Sequence, residues 1–293
     1  MFVEITDVFL RDGLQDEPVV VPTAAKLEIA SYLRAAGVTR MEVASFVNPK
    51  KVPQMADAAE LFSSREDADV TWSALALNGR GIERALAANA DQIQVVISAS
   101  DAHSTSNAGG STADLQAGII STVTSLGVPV GQRFFAGIST AFTCPFEGEI
   151  PAERVVDLVK RFHDAGITTI GLADTLGTTP TEKVIDTVSQ VLDAVPGIKL
   201  SLHLHNAHGQ ALNTVTAALE LGISLFDASL GGFGGCPFAP GAAGNLDILD
   251  LVRHLHSLGV ETGIDEQALA FATVQAQQAV AQGSVLDGVR SLS

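Results

Sequence analysis

The chain has 293 residues, 46% hydrophobic and only 17% charged, with 27 Gly and 11 Pro; that composition can bury a sizeable core and excludes a disordered or collagen-like protein. Seventeen basic residues against 33 acidic ones give a formal charge of −16, which repels nucleic-acid phosphates and anionic lipid surfaces, so neither nucleic acid nor membrane is an expected partner. Two cysteines, Cys144 and Cys236, exclude a disulfide-stapled scaffold and a thiolate-rich structural zinc site.

The N-terminal MFVEITDVFL has no basic segment followed by an apolar one, and no apolar run reaches the ~20 residues of a membrane helix. The expectation is a cytoplasmic protein. Val3–Phe9 reads as a strand and Thr23–Ala36 as a helix, and the alternation then repeats along the chain. Strand Arg40–Ala44 is followed by helix Val52–Phe62, Val70–Ala74 by Gly79–Ala88, Gln92–Ser98 by Ala113–Leu126, and Gly131–Ser139 by Ala152–Ala165. Strand Thr168–Ala173 precedes helix Thr181–Ala194, Lys199–His205 precedes Gly209–Leu219, and Ser224–Ser229 precedes Leu246–Leu258. Gly37, Gly166 and Gly222 stand where a helix needs a left-handed residue to end. Eight such units predict an α/β fold of the (β/α)8 TIM-barrel type, one catalytic domain over residues 1–293. Within it, 265–293 form an appended C-terminal helical segment, helical through Gln282. The first turn, LRDGLQD, lacks a dinucleotide fingerprint, and no Gly-rich stretch has phosphate-loop spacing, so neither a nucleotide nor a flavin is expected.

A barrel of this kind carries its chemistry at the C-terminal ends of the strands, and polar residues recur there. Arg11 and Asp12 follow the first strand, Glu42 and Ser45 belong to the second, Asp174 and Thr175 follow the sixth, and His203 and His205 end the seventh. In LHLH two imidazoles one residue apart project to one strand face, where they can ligate a single metal or form a hydrogen-bonded interior pair. Asp12 adds a carboxylate when the barrel closes, and Asn245 an amide oxygen. The mixed N/O set Asp12, His203, His205 and Asn245 suits Mg2+ or Mn2+ first, with Co2+ and Fe2+ behind them. Arg11 either faces an anion or pairs structurally with Glu42, and the two roles are compatible. Asp174 either caps the following helix through Thr175 or contacts substrate. Arg11, Gln15, Ser45, Asp174 and Thr175 are candidate substrate contacts.

Cys236 lies in GGFGGCPFAPGAAGN, a mobile Gly-rich loop that can carry an acid/base thiol over the mouth. Cys144 reads as structural, and His254 and His256, two apart on a helix, as surface or packing residues. Asn206 and His208, beside His205, are candidates for orienting a ligand or donating a proton.

Together, FLRDGLQDE, MEVASFVNPKKVPQMAD, LADTLGTTP, LHLHNAHGQALNT and GGFGGCPFAPGAAGNLDILDLV resemble the 3-hydroxy-3-methylglutaryl-CoA lyase family over about Phe9 to Gly263. The resemblance implies a divalent-metal-dependent carbon–carbon lyase that acts on an acyl-CoA as a homo-oligomer, a dimer. It implies Asp12, His203, His205 and Asn245 as ligands, with His203 also catalytic. Arg11 then stabilises the thioester enolate, Glu42 orients Arg11, and Cys236 is the loop acid/base. The family commonly has Asp-Thr-Tyr where this chain has Asn206-Ala207-His208, and a basic residue near Pro18. Those changes bear on the acyl group and its carrier, leaving 3-hydroxy-3-methylglutaryl-CoA beside a related tertiary 3-hydroxyacyl-CoA, citramalyl-CoA or a longer-branched glutaryl-CoA. An aldolase for free oxo acids is a further reading. A non-catalytic barrel is disfavoured because the polar set is intact.

Overall fold

The computed structural model describes residues 1–65, 68–235 and 244–286. Eight parallel strands close into a barrel: β1 (Glu4–Asp7), β2 (Arg40–Ser45), β3 (Thr71–Ala76), β4 (Gln92–Ser98), β5 (Phe134–Ser139), β6 (Thr169–Asp174), β7 (Lys199–Leu204) and β8 (Leu225–Ala228). Each strand pairs with its neighbours in the chain, and β1 completes the ring by pairing with both β8 and β2. Around the barrel lie α1 (Thr23–Ala35), α2 (Ala58–Ser63), α3 (Gly79–Ala87), α4 (Asp101–Ala108), α5 (Thr112–Ser125) and α6 (Val130–Arg133). They are followed by α7 (Ala152–Asp164), α8 (Thr181–Ala194), α9 (Ala211–Glu220), α10 (Ile248–Ser257) and α11 (Glu266–Ala281). The predicted (β/α)8 architecture is the observed one.

Strand side chains alternate between two faces. The outer face is aliphatic: Ile5, Val43, Ile93, Ile138, Leu172 and Leu202 are all buried against the helices. The inner face is mixed, with Thr6, Glu42, Gln94, Gly137, Ser201 and Asp227 in linked register beside the apolar Leu75, Val96, Phe135 and Leu225. Barrel interiors are more often filled by branched apolar residues. Here the hydrophobic core sits between sheet and helices, and the axis holds hydrogen-bonding groups beneath the mouth.

Several predicted boundaries are corrected. The first strand stops at Asp7 because Phe9–Gly13 form a wide turn in which the Asp12 and Gly13 N–H groups both donate to the Val8 carbonyl, at 2.8 and 3.1 Å. The fifth strand begins at Phe134, after the single turn α6. The helix expected over Val52–Phe62 breaks into a short turn at Pro53–Met55 and then α2. Buried Lys26 takes the Gln54 carbonyl, at 2.7 Å, that a continuous helix would have used, and pairs with Asp57. Helix α4, unpredicted, starts at Ser100, whose hydroxyl accepts from the His103 N–H at 3.1 Å. In the tail the helix ends at Ala281, and Ser284–Val285 pair antiparallel with Val19–Val20; residues 287–293 of the expected helical extension lie outside the described residues.

Candidate active site

The turn after β1 is tightly packed at Gly13, where a Cβ would meet Phe9 Cδ2 and Ser229 Oγ at 3.0 Å and oblige them to give way. It delivers Arg11 and Asp12 to the C-terminal mouth. Arg11 is buried, with Nε donating to Glu42 and Nη1 to Asp12. Burial opposes the Arg11 charge, but the Asp12 and Glu42 carboxylates outweigh it and hold the guanidinium more firmly charged than usual. Its Nη2 makes no hydrogen bond among the described residues. Glu42 is raised by burial despite Arg11. Asp12 goes the other way: burial is overcome by Arg11, by the two histidines and by the Asn245 amide, which keep it well below the usual carboxylate range.

His203 and His205 leave β7 on the same side, with ring centroids 5.3 Å apart. Asp227 of β8 accepts from His203 Nδ1 at 3.3 Å, which leaves Nε2 facing Asp12 Oδ2 at 3.7 Å. Burial lowers the basicity of His203, but the Asp227 hydrogen bond and the charges of Asp12 and Asp227 win, so His203 lies above the ordinary imidazole value. His205 is pulled down to about 4 by burial and by its neighbour His203.

Asn245 completes the cluster. Its Nδ2 donates to Asp12 Oδ2 at 2.7 Å and to the Phe233 carbonyl at 2.9 Å. Gly234 permits this approach, since it has φ +107° and a Cβ there would lie 2.2 Å from Asn245 Nδ2. A half-turn of the amide exchanges its nitrogen and oxygen, so the same side chain can serve a carboxylate or a cation.

The donor set fits a divalent cation. One ligand atom from each of Asp12, His203 and His205 lies within 4.8 Å of the others, His205 Nδ1 is buried without a hydrogen-bond partner among the described residues, and three carboxylates (Asp12, Glu42, Asp227) surround a single guanidinium. Two imidazoles with oxygen donors suit Mg2+, Mn2+ or a neighbouring first-row ion.

The remaining candidates divide. Ser45 is buried at the end of β2, and its Oγ lacks a partner among the described residues, while Gln15 is half-buried just past the Arg11 turn. Asp174 and Thr175 hold loops: Asp174 accepts from the Thr179 hydroxyl and N–H at 2.7 and 3.2 Å, and Thr175 Oγ1 accepts from the Thr140 N–H at 2.8 Å. The helix cap expected of Asp174 through Thr175 is not formed: α8 starts after Pro180 without a side-chain cap, and Asp174 bonds Thr179 in the loop before it. Asn206 accepts from the Ala211 N–H at the start of α9, at 3.1 Å, and His208 is exposed beside it. Cys144 is buried and bonded to Ser100 at 3.0 Å. Cys236 lies outside the described residues.

Two acids escaped the sequence reading. Asp227 shares the inward parity of Leu225 in β8, a signal that strand alternation could have supplied. Asp7 is 1% exposed at the end of β1 and is pushed up to about 7 by burial.

A closed parallel barrel with a buried arginine, carboxylates and a histidine pair at its C-terminal mouth defines a barrel enzyme. The HMGL-like family model matches residues 2–275, so the chain belongs to that family and is a carbon–carbon lyase. It is 38% identical over 269 residues to the cytoplasmic 3-hydroxy-3-methylglutaryl-CoA lyase of Danio rerio, covering 90% of this chain and 79% of the relative. It is 39% identical over 282 residues to the (R)-citramalyl-CoA lyase of Chloroflexus aurantiacus, covering 92% and 89%. Among solved structures, an HMG-CoA lyase from Acinetobacter baumannii in complex with coenzyme A and 3-methylmalate superposes with a TM-score of 0.90 at 38% identity, covering 98% of this chain and 93% of that one.

Proposed function

We propose that the protein cleaves 3-hydroxy-3-methylglutaryl-CoA to acetyl-CoA and acetoacetate, with Asp12, His203, His205 and Asn245 holding a divalent cation. The convergence of the Asp12, His203 and His205 donor atoms beside the Arg11 guanidinium carries the reading. A bound Mg2+ or Mn2+ would supply Lewis acidity to the tertiary alcohol and a substrate carboxylate oxygen.

The chain's own residues supply the rest. The hydroxyl proton passes to the Asp12 carboxylate, the bond between the carbinol carbon and the thioester methylene breaks, and the carbinol becomes a ketone. The released electron pair moves into the thioester as an enolate, whose oxygen Arg11 meets through its unoccupied Nη2 edge while Glu42 fixes the guanidinium. A proton from the Cys236 thiol to the methylene carbon completes acetyl-CoA.

A second substrate is favoured by one observation: the (R)-citramalyl-CoA lyase relative is as similar as the 3-hydroxy-3-methylglutaryl-CoA lyase one. The same chemistry on citramalyl-CoA gives acetyl-CoA and pyruvate. Purified protein with Mg2+ or Mn2+ and a panel of tertiary hydroxyacyl-CoA thioesters, assayed for acetyl-CoA, tests both. Highest kcat/KM on 3-hydroxy-3-methylglutaryl-CoA is expected; preference for citramalyl-CoA selects the second reading, and no release from any thioester overturns both.

A further inference from the structure

We infer that Asp7 is a positioning residue that locks the two loops of the metal centre into one unit; the inference rests on the metal reading above. Asp7 Oδ1 accepts from the Phe9 N–H and Oδ2 from the Leu230 N–H, both at 3.0 Å. The first bond fixes the root of the Arg11–Asp12 turn. The second fixes the root of the strip that runs from Leu230 to Gly235.

From those roots the connections close on themselves. The turn leads to Asp12, which accepts from Asn245 Nδ2 at 2.7 Å. Asn245 is held in turn by the strip, donating from its backbone N–H to the Gly234 carbonyl at 3.1 Å and from Nδ2 to the Phe233 carbonyl at 2.9 Å. Phe9 and Phe233, one from each loop, meet edge to face at 5.4 Å. The path Asp7, Phe9, Asp12, Asn245, Phe233, Leu230 is thus a closed circuit of side-chain and backbone contacts, and among the described residues Asp7 is the side chain that hydrogen-bonds both roots.

A carboxylate suits this place because each of its oxygens can accept a backbone donor, whereas an amide would turn its own NH2 toward one of the two N–H groups. Asp7 has no basic partner within ion-pair distance among the described residues, and the cost of burying it is consistent with a carboxyl retained for its two acceptors. A displaced root would move Asp12 relative to His203, which stands on β7, and would pull on Asn245, whose backbone bridges to His205 just past that strand.

Mn2+ titrated calorimetrically into the full chain, together with steady-state kinetics, tests the assignment. Asp7→Asn is expected to weaken Mn2+ binding about tenfold and to lower kcat about tenfold, with KM within about twofold, as for residues that orient metal ligands. Wild-type Mn2+ affinity and kcat in Asp7→Asn would overturn it. Asp12→Asn is run in parallel: if that variant keeps wild-type Mn2+ affinity, the metal reading itself fails, whereas loss in Asp12→Asn with retention in Asp7→Asn removes only the role of Asp7. Should Asp7→Asn not fold, amide exchange in the wild-type chain decides. Mg2+ should slow exchange of the Phe9 and Leu230 amides together, and unchanged exchange at both would reject the coupling.

Discussion

His203 is gripped from behind by Asp227, whose Oδ2 lies 3.3 Å from Nδ1, so the ring turns Nε2 toward Asp12. This hydrogen bond selects the tautomer with its lone pair on the inner nitrogen and raises the ring's basicity, the arrangement that makes an imidazole a good ligand. Asp227→Asn should lower kcat and metal affinity each by about 10–100-fold with the fold intact. Steady-state rates, Mn2+ titration and circular dichroism check this, and an unchanged metal affinity would reduce Asp227 to packing.

Arg11 faces charge that exists mainly in the transition state. Arg11→Met is expected to cost about 10²–10³ in kcat and far less in KM, the signature of a lost oxyanion donor. Kinetics on the best thioester supply the test. A rise in KM with kcat preserved would reassign Arg11 to ground-state binding.

For Cys236 the expected outcome is that Cys236→Ser cripples turnover while Mn2+ binding persists, because an alcohol is a far weaker acid than a thiol near neutral pH. Cys144→Ser, at a buried thiol bonded to Ser100, is the control and should retain activity. Near-wild-type turnover in Cys236→Ser would turn attention to His208, exposed on the loop after β7.

Away from the mouth, Glu147 accepts from the Ala102 N–H at 2.8 Å, the Ser100 hydroxyl at 2.8 Å and Arg154 at 2.7 Å. The Ala102 backbone bond, followed by the other two, holds its carboxyl at about 2. A carboxyl lowered in the folded state stabilises above its unfolded value of about 4.5, and that contribution fades as pH falls toward the folded value. The Tm advantage of the wild type over Glu147→Gln should therefore be full above about pH 5 and shrink toward about pH 3. A gap that does not vary with pH would contradict the ionised carboxylate as its source.

The barrel was legible because short β-branched runs alternate with stretches of helical period eight times along the chain. Arg11, Asp12 and the His203/His205 pair were readable from strand ends alone, since two histidines of equal parity must share a face. What stayed hidden depends on contacts between distant segments. No local signal says that Lys26 would take the Gln54 carbonyl and break a helix, or that Thr175 would serve Thr140 across two strands. Asp7 and Asp227 carry no local signal of their partners, because the groups they hold, Leu230 and His203, lie 223 and 24 residues away.

The pairing of β1 with β8 has a consequence for how and when activity arises. Asp12 and Asn245 touch although 233 positions separate them, and the histidines come from the seventh strand, so no fragment that lacks either the first or the last βα unit contains a complete centre. A nascent polypeptide still missing its last βα unit can neither capture the cation nor break a thioester substrate. Once the ring shuts, any ion it holds favours the shut form by mass action, so affinity for the ion becomes a gauge of seam integrity. Lesions far from the mouth that loosen the seam would then be read out first as metal loss, before the helices melt.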